Sequence, residues 1–220
     1  MSYDPFDEAR DEMYAEIARE LYPDHKTQAI DEFTSERLQS YYVANPMVMR
    51  PAVDAIQQGR QLQKKEHDAA ALIFFVTAIE LLLKATLLKP VMHGLIHSPG
   101  LAEIIVQQAV NQPGFDRYTK LLAKLFHALV DLDISTVKRE GNSEPLLTEC
   151  TACQALRNKI IHQGASATTD QAERAHLVAV AVYDLVVHPM LAHIGLKVVA
   201  RGEIKRSDKA EPLTDAFIRT

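Results

Sequence analysis

Residues Ala69 to Lys84 run Ala-Ala-Ala-Leu-Ile-Phe-Phe-Val-Thr-Ala-Ile-Glu-Leu-Leu-Leu-Lys. Wound as a helix, this stretch is apolar on almost every face, so it needs partners all round. Other elements of the chain must therefore surround it, and 220 residues are enough for one sizeable core. Those other elements also look helical. Leu, Ala, Gln, Glu and Lys dominate, and β-type alternation over a strand length is almost absent. The expected class is all-α, most simply one helical bundle around residues 69–84 with an inserted hairpin and mobile ends.

Punctuation along the chain divides it further. Residues 1–27 form an acidic amphipathic arm with Met13, Ile17 and Leu21 at helical spacing. Tyr22-Pro23-Asp24 is expected to end it, and its apolar face to pack on the core or on a neighbouring chain. The bundle spans 28–198. Asn45-Pro46 and Arg50-Pro51 interrupt its first helical region, and Pro90 is expected to stop the central helix. Residues of about 91–142 then read as an inserted helical hairpin, punctuated by Pro99, Pro113-Gly114 and Gly141. Leu101, Ile104, Ile105 and Val110 fall in its short helix; Leu121, Leu122, Leu125, Leu129 and Leu132 fall in its longer one. A helix over 144–163 ends near Gly164 in a left-handed cap. Asp170 and Glu173 have the spacing of a capping box for an apolar helix over about 170–188, which Pro189 kinks or ends. Residues 199–220 are expected to be a mobile, charged tail.

A net charge of −5 argues against nucleic-acid binding through bulk positive charge, so any such contact has to be local. No leader pattern and no apolar run of about 18 residues is visible. The chain has two cysteines and no secretion signal. The expectation is a cytoplasmic protein without a membrane span.

Two features carry chemistry. Glu80 lies inside the apolar run, where an unpartnered carboxylate is costly. It pairs either with Lys84, four residues on, or with an arginine from another helix. The second feature is Arg157-Asn158-Lys159-Ile160-Ile161-His162. Arginine offers planar paired donors to phosphate oxygens, and histidine moves protons near neutral pH. The spacing itself is unselective: Arg19 with His25 and Arg60 with His67 match it too. Pro23 separates the first of those pairs, and the second lies in a polar stretch. Around Arg157 the context differs, because the segment closes a helix at Gly164. Asn158 and His162 share a face, whereas Arg157 and His162 stand about 140° apart on an ideal helix. They converge only if the helix loosens near Gly164 or a second copy of the chain supplies the missing partner. The competing structural account is a surface arginine beside a helix-capping histidine.

Other candidates are weaker. Cys150 and Cys153 form a single C-x-x-C, read as two small core residues on one helix. His93 and His97 have a metal-ligand spacing without the glutamate of H-E-x-x-H. His188 and His193 read as structural. Lys197, Arg201, Lys205 and Arg206 make a basic segment, read as a solvated terminus.

Taken together, the Glu80 helix and the later Arg157–His162 motif resemble the HEPN family (higher eukaryotes and prokaryotes nucleotide-binding) over roughly residues 30–195. The resemblance implies an all-α bundle of four to five core helices that dimerises and cuts RNA without a metal or other cofactor, leaving a 2′,3′-cyclic phosphate and a 5′-hydroxyl. It implies that Arg157 grips the scissile phosphate, His162 is acid or base, Asn158 positions the site and Glu80 holds Arg157. It further implies a homodimer acting on RNA in defence, stress response or a toxin–antitoxin pair, with any antitoxin or regulatory protein on a separate chain. Some members of that family are non-catalytic modules that bind a nucleotide or a protein, and this remains the alternative.

Overall fold

The two X-Pro pairs at 45–51 set the first corner of the fold. In a computed structural model of the chain, which describes residues 5–96, 100–101, 104–105, 122–124, 126 and 133–207, helix α1 runs Pro5–Ala44 and α2 runs Arg50–Gln63. Pro51 occupies the first turn of α2, where its missing N–H costs no intrahelical bond. It therefore starts a helix and does not break one. The chain continues as α3 (Asp68–Leu81), a π-helical stretch (Leu82–Leu88), α4 (Lys89–Leu95), α5 (Leu146–Gln163), α6 (Thr169–Val182), a second π-helical stretch (Tyr183–Val187) and α7 (His188–His193). A short antiparallel hairpin of β1 (Leu196–Val199) and β2 (Glu203–Arg206) follows. The protein is an all-α bundle, with this one small sheet among the described residues.

As its composition demands, α3 is the central element. No residue between Asp68 and Gly94 whose burial is described is exposed. Leu72, Phe75, Val76, Ile79, Leu82, Leu83 and Leu87 are buried. Helices α2 and α6 cover α3, while α4 lies on α1. The α2–α3 approach depends on Gly59, where a Cβ would come within 2.6 Å of the Phe75 ring.

Several expectations need correction. Pro90 does not stop the central helix, which continues to Gly94. In an α-helix the proline ring would collide with the carbonyl of residue 86 and leave it without a donor. Here Lys89 donates its N–H to the Lys84 carbonyl, five residues back. The wider turn makes room for the ring. The Tyr42 hydroxyl then donates to the Thr86 carbonyl at 2.5 Å, supplying the missing partner. Pro189 is accommodated in the same way, with the His188 N–H donating to the Tyr183 carbonyl. The two helices thus reach 27 and 25 residues, long and apolar enough by length and composition to cross a membrane. Such a stretch was not expected from a sequence read as stopping at Pro90 and as kinking or ending at Pro189. The apolar windows are 61% and 50% buried within the protein itself, which is also how a core helix looks.

The break expected at Tyr22-Pro23-Asp24 is absent too, since α1 passes through Pro23. Good helix formers on both sides, such as Glu16, Arg19 and Leu21 before it and Lys26, Gln28 and Ala29 after it, carry the chain past one lost bond. Met13, Tyr14 and Ile17 on this helix are exposed, so they do not pack on the described core. Residues 91–95 belong to the helix that continues α3, and Leu122, Phe126 and Ile134 are buried. Those parts of the expected insertion therefore complete the bundle. Pro99, Val110, Pro113-Gly114, Leu121, Leu125, Leu129 and Leu132 lie outside the described residues. Residues 199–207, expected to belong to a mobile tail, are ordered, and the rest of that tail lies outside the described residues. The Ile204 N–H donates to the Pro46 carbonyl at 2.8 Å, and Ile204 and Leu196 are buried. Four-residue strands are too short for their alternation to stand out in a sequence.

Candidate active site

Helix α5 carries the Arg157–His162 segment, and its two ends are fixed. At the start, the Leu146 N–H donates to the Val137 carbonyl at 2.8 Å. At the end, Gly164 adopts φ 65°. Its N–H returns to the Ile160 carbonyl at 3.2 Å, and the Ala165 N–H to Lys159 at 3.3 Å. This left-handed close is strained for residues with a Cβ, and it leaves His162 in the last helical turn, as expected.

Of the two partners open to Glu80, the arginine from another helix is observed. Arg157 Nη2 donates to both carboxylate oxygens of Glu80 at 3.3 Å. Gln154, one turn earlier on α5, donates to Glu80 Oε1 at 2.9 Å. Arg157 Nη1 donates to Asn158 Oδ1 at 3.0 Å. The Arg157 and Glu80 side chains remain 24% and 19% exposed, so the pair sits at the rim of the core. Arg157 Nε is buried with no hydrogen-bond partner among the described residues. Three of the four sequence candidates thus come together: Glu80, Arg157 and Asn158. His162 does not join them; it is exposed, and among the described residues no hydrogen bond links it to Arg157. The helix stays regular to Gln163. Loosening near Gly164 does not unite the pair within one chain.

Glu80 also faces a cavity of about 230 Å³, lined with it by Thr77, Leu81, Lys84, Ala85 and Lys89. Gln154 was not singled out from the sequence; its position three residues before Arg157 was the available signal.

A second carboxylate–arginine cluster was also missed. Glu149, in the first turn of α5, is completely buried. Arg139 grips it bidentately at 2.9 and 2.8 Å, and Arg174 from α6 adds a 3.4 Å contact. The Arg139 hydrogen bonds hold the Glu149 carboxyl below its ordinary range, outweighing the opposing effect of burial. Sequence showed only a glutamate among Leu146, Leu147, Cys150 and Cys153.

Both cysteines are free and buried. Burial pushes the Cys150 thiol far up and Cys153 up to about 11, so neither is poised as a nucleophile. His93 stacks on Tyr41, ring centroids 5.2 Å apart, while its expected partner His97 lies outside the described residues. Among the described residues, no group of three His, Cys, Asp or Glu could hold a metal ion. The basic Lys197, Arg201, Lys205 and Arg206 lie in the ordered hairpin or its turn, not on a loose terminus. Asp170 and Glu173 do not form the cap of α6. Thr168 accepts from the Gln171 N–H, and Gln171 accepts from the Thr168 N–H. Thr168 has the extended backbone that an N-cap requires, and Asp170 falls one step inside the helix. No family model matches the chain, and no curated protein or solved structure matches it.

Proposed function

We propose that the chain is a metal-independent endoribonuclease of the HEPN type that acts as a homodimer. One observation carries this reading: Glu80 fixes Arg157 on one edge of α5 while His162 stands exposed in the final turn of the same helix. A phosphate clamp and a proton carrier on one short segment, separated around the helix, suit a site that two copies complete.

The chemistry follows from those groups. In a two-fold groove, one His162 takes the proton from a ribose 2′-hydroxyl. The 2′-oxygen attacks the adjacent phosphorus, and the bond from phosphorus to the 5′-oxygen breaks. The second His162 delivers a proton to the departing oxygen. The products are a 2′,3′-cyclic phosphate and a 5′-hydroxyl. Arg157 meets the charge that gathers on the non-bridging oxygens. Glu80 and Gln154 hold the guanidinium in place, and Asn158 orients it from the same helix. A role in defence, stress response or a toxin–antitoxin pair in the cytoplasm belongs to this proposal, with any antitoxin as a separate chain.

The other reading is a non-catalytic nucleotide- or protein-binding module. What favours it is that Arg157 is engaged by Glu80, on a chain of net charge −5. Incubating purified protein with RNA in a chelator separates the two. The nuclease reading expects cutting, with Arg157→Ala and His162→Ala each slowing it by roughly 10²–10⁴-fold. Intact RNA with the unsubstituted chain, or full cutting by both variants, would sink it.

A further inference from the structure

A second cavity, of about 260 Å³, opens between α2 and α3 and is lined by Gln58, Gln61, Leu62, Lys65 and Phe74. Helical spacing builds its first wall. Leu62 follows Gln58 by four residues and Gln61 by one, so Gln58, Gln61 and Leu62 fall on neighbouring rows of one side of α2. Lys65 continues that side into the turn after the helix. The turn is fixed, because the Lys65 and His67 N–H groups both donate to the Leu62 carbonyl at 3.0 Å. Glu66 between them takes φ 61°, a conformation that glycine adopts more readily. Phe74 supplies the second wall from α3.

The lining combines three chemistries. Leu62 and Phe74 pack against the core but are only half-buried, so they leave apolar surface open to the cavity. Gln58, Gln61 and Lys65 are exposed. Among the described residues, neither carboxamide and not the Lys65 ammonium has a hydrogen-bond or ion-pair partner within the protein. No carboxylate lines the cavity. A ligand matched to this set is planar and apolar on its face, offers donors and acceptors at its edge, and carries negative charge beside it. A nucleobase with its phosphate has all three properties. Bases stack on aromatic rings. A carboxamide sets a donor beside an acceptor, which complements the N6–H and N7 of adenine; the N7 and O6 of guanine are both acceptors and call for a cationic fork. No arginine lines this cavity. Its volume falls just below that of ordinary ligand clefts, which suits a base whose sugar and phosphate stay outside.

We propose that this cavity is an adenine-nucleotide site, in which Phe74 and Leu62 receive the base, Gln58 and Gln61 bind its edge and Lys65 meets the phosphate. Free adenosine monophosphate and an adenosine within RNA share that chemistry. Neither Arg157 nor His162 lines the cavity, so the site does not rest on the nuclease reading. Lys65 lies just beyond the negative end of α2, which already attracts its charge. The base contacts therefore carry most of the affinity and the phosphate contact less.

The test titrates the full chain with adenosine monophosphate by calorimetry and with a fluorescent 2′-O-methyl oligoadenylate, which lacks the attacking hydroxyl, by anisotropy. At least one should bind, and more tightly than its guanosine counterpart. Phe74→Leu keeps apolar contact with the core and removes the ring; it should weaken binding about tenfold. Gln58→Ala/Gln61→Ala lies on an exposed helix face where alanine favours the helix, so the fold is kept. It should weaken adenosine binding about tenfold through two lost hydrogen bonds and erase the preference over guanosine. Lys65→Gln should cost about threefold, with a shallower salt dependence. Binding of the monophosphate assigns a free nucleotide, and binding of the oligoadenylate alone assigns a base of RNA; either upholds the site. No binding of either ligand at about 1 mM, or binding unchanged in both the Phe74→Leu and the glutamine variants, overturns it.

Discussion

Helix α5 carries one carboxylate–arginine cluster near each end, and the two are built to different standards. At its start, Glu149 is wholly buried and bound by Arg139 at 2.8–2.9 Å in paired geometry, with Arg174 beside it. Toward its end, Arg157 reaches Glu80 at 3.3 Å, both side chains stay partly exposed, and one arginine donor has no partner. The first cluster uses its charges up within the protein. The second holds an arginine loosely, on a glutamate that lines a cavity. A closed network of this kind serves the fold, and an under-satisfied one at a cleft is where function is expected.

The largest effect that can break this contrast is on stability. Arg139→Ala leaves a buried carboxylate with only the 3.4 Å Arg174 contact and should cost about 3 kcal/mol, the lower end for a broken buried pair. Arg157→Ala leaves Glu80 at a rim that water reaches, and should cost about 1 kcal/mol or less. Urea unfolding of the two variants measures both. Equal losses would remove the distinction between a structural and a functional cluster.

Much of this was legible beforehand. The all-apolar run specified a buried central helix, Gly164 specified where α5 ends, and a lone glutamate in an apolar run announced a partner. What stayed hidden depends on tertiary structure. Nothing local marks Arg139 as the ligand of Glu149, because the pairing is made by a loop folding back on α5. Proline was read as a stop at Pro23 and Pro90 and as a kink or stop at Pro189. At the last two a widened turn absorbs it, and hydrogen-bond register is not a property of residue type. The same shift placed Lys89 in the cavity, which an α-helical projection would exclude.

Acid sharpens the contrast with a smaller effect. Glu149 has a depressed pKa in the folded protein through its Arg139 hydrogen bonds. The unfolded chain therefore takes up a proton at higher pH than the folded one. Its stabilisation is complete above the ordinary glutamate range of about 4.3 and is lost as pH falls through the lower folded value. His176, packed on Phe75 at 4.9 Å between ring centroids, is depressed chiefly by burial. The sign is the same, and its window opens below about 6.5. Thermal melts should show stability declining below about pH 6.5 and falling further below about pH 4.3. His176→Gln should remove the first decline and Arg139→Ala should weaken the second. A profile flat from about pH 7 to 5 would contradict the His176 assignment, and one flat from about pH 4.5 to 2 the Glu149 assignment.

The smallest effect concerns how Arg174 is brought to the closed cluster. Helix α6 starts at a reciprocal cap between Thr168 and Gln171, and that start fixes which residues of α6 face α5. Thr168→Ala removes the side-chain acceptor for one N–H and should cost about 1 kcal/mol. Asp170→Ala touches only the helix dipole and should cost about 0.3–1 kcal/mol at low salt, and less as salt screens it. Comparing the two variants at moderate salt makes the difference readable. Because Arg157 is held by α3 and not by α6, Thr168→Ala should lower the melting temperature while RNA cutting below that temperature is unchanged. Equal costs for the two variants would return the cap to Asp170, and a parallel loss of cutting would show that the open site leans on the closed one.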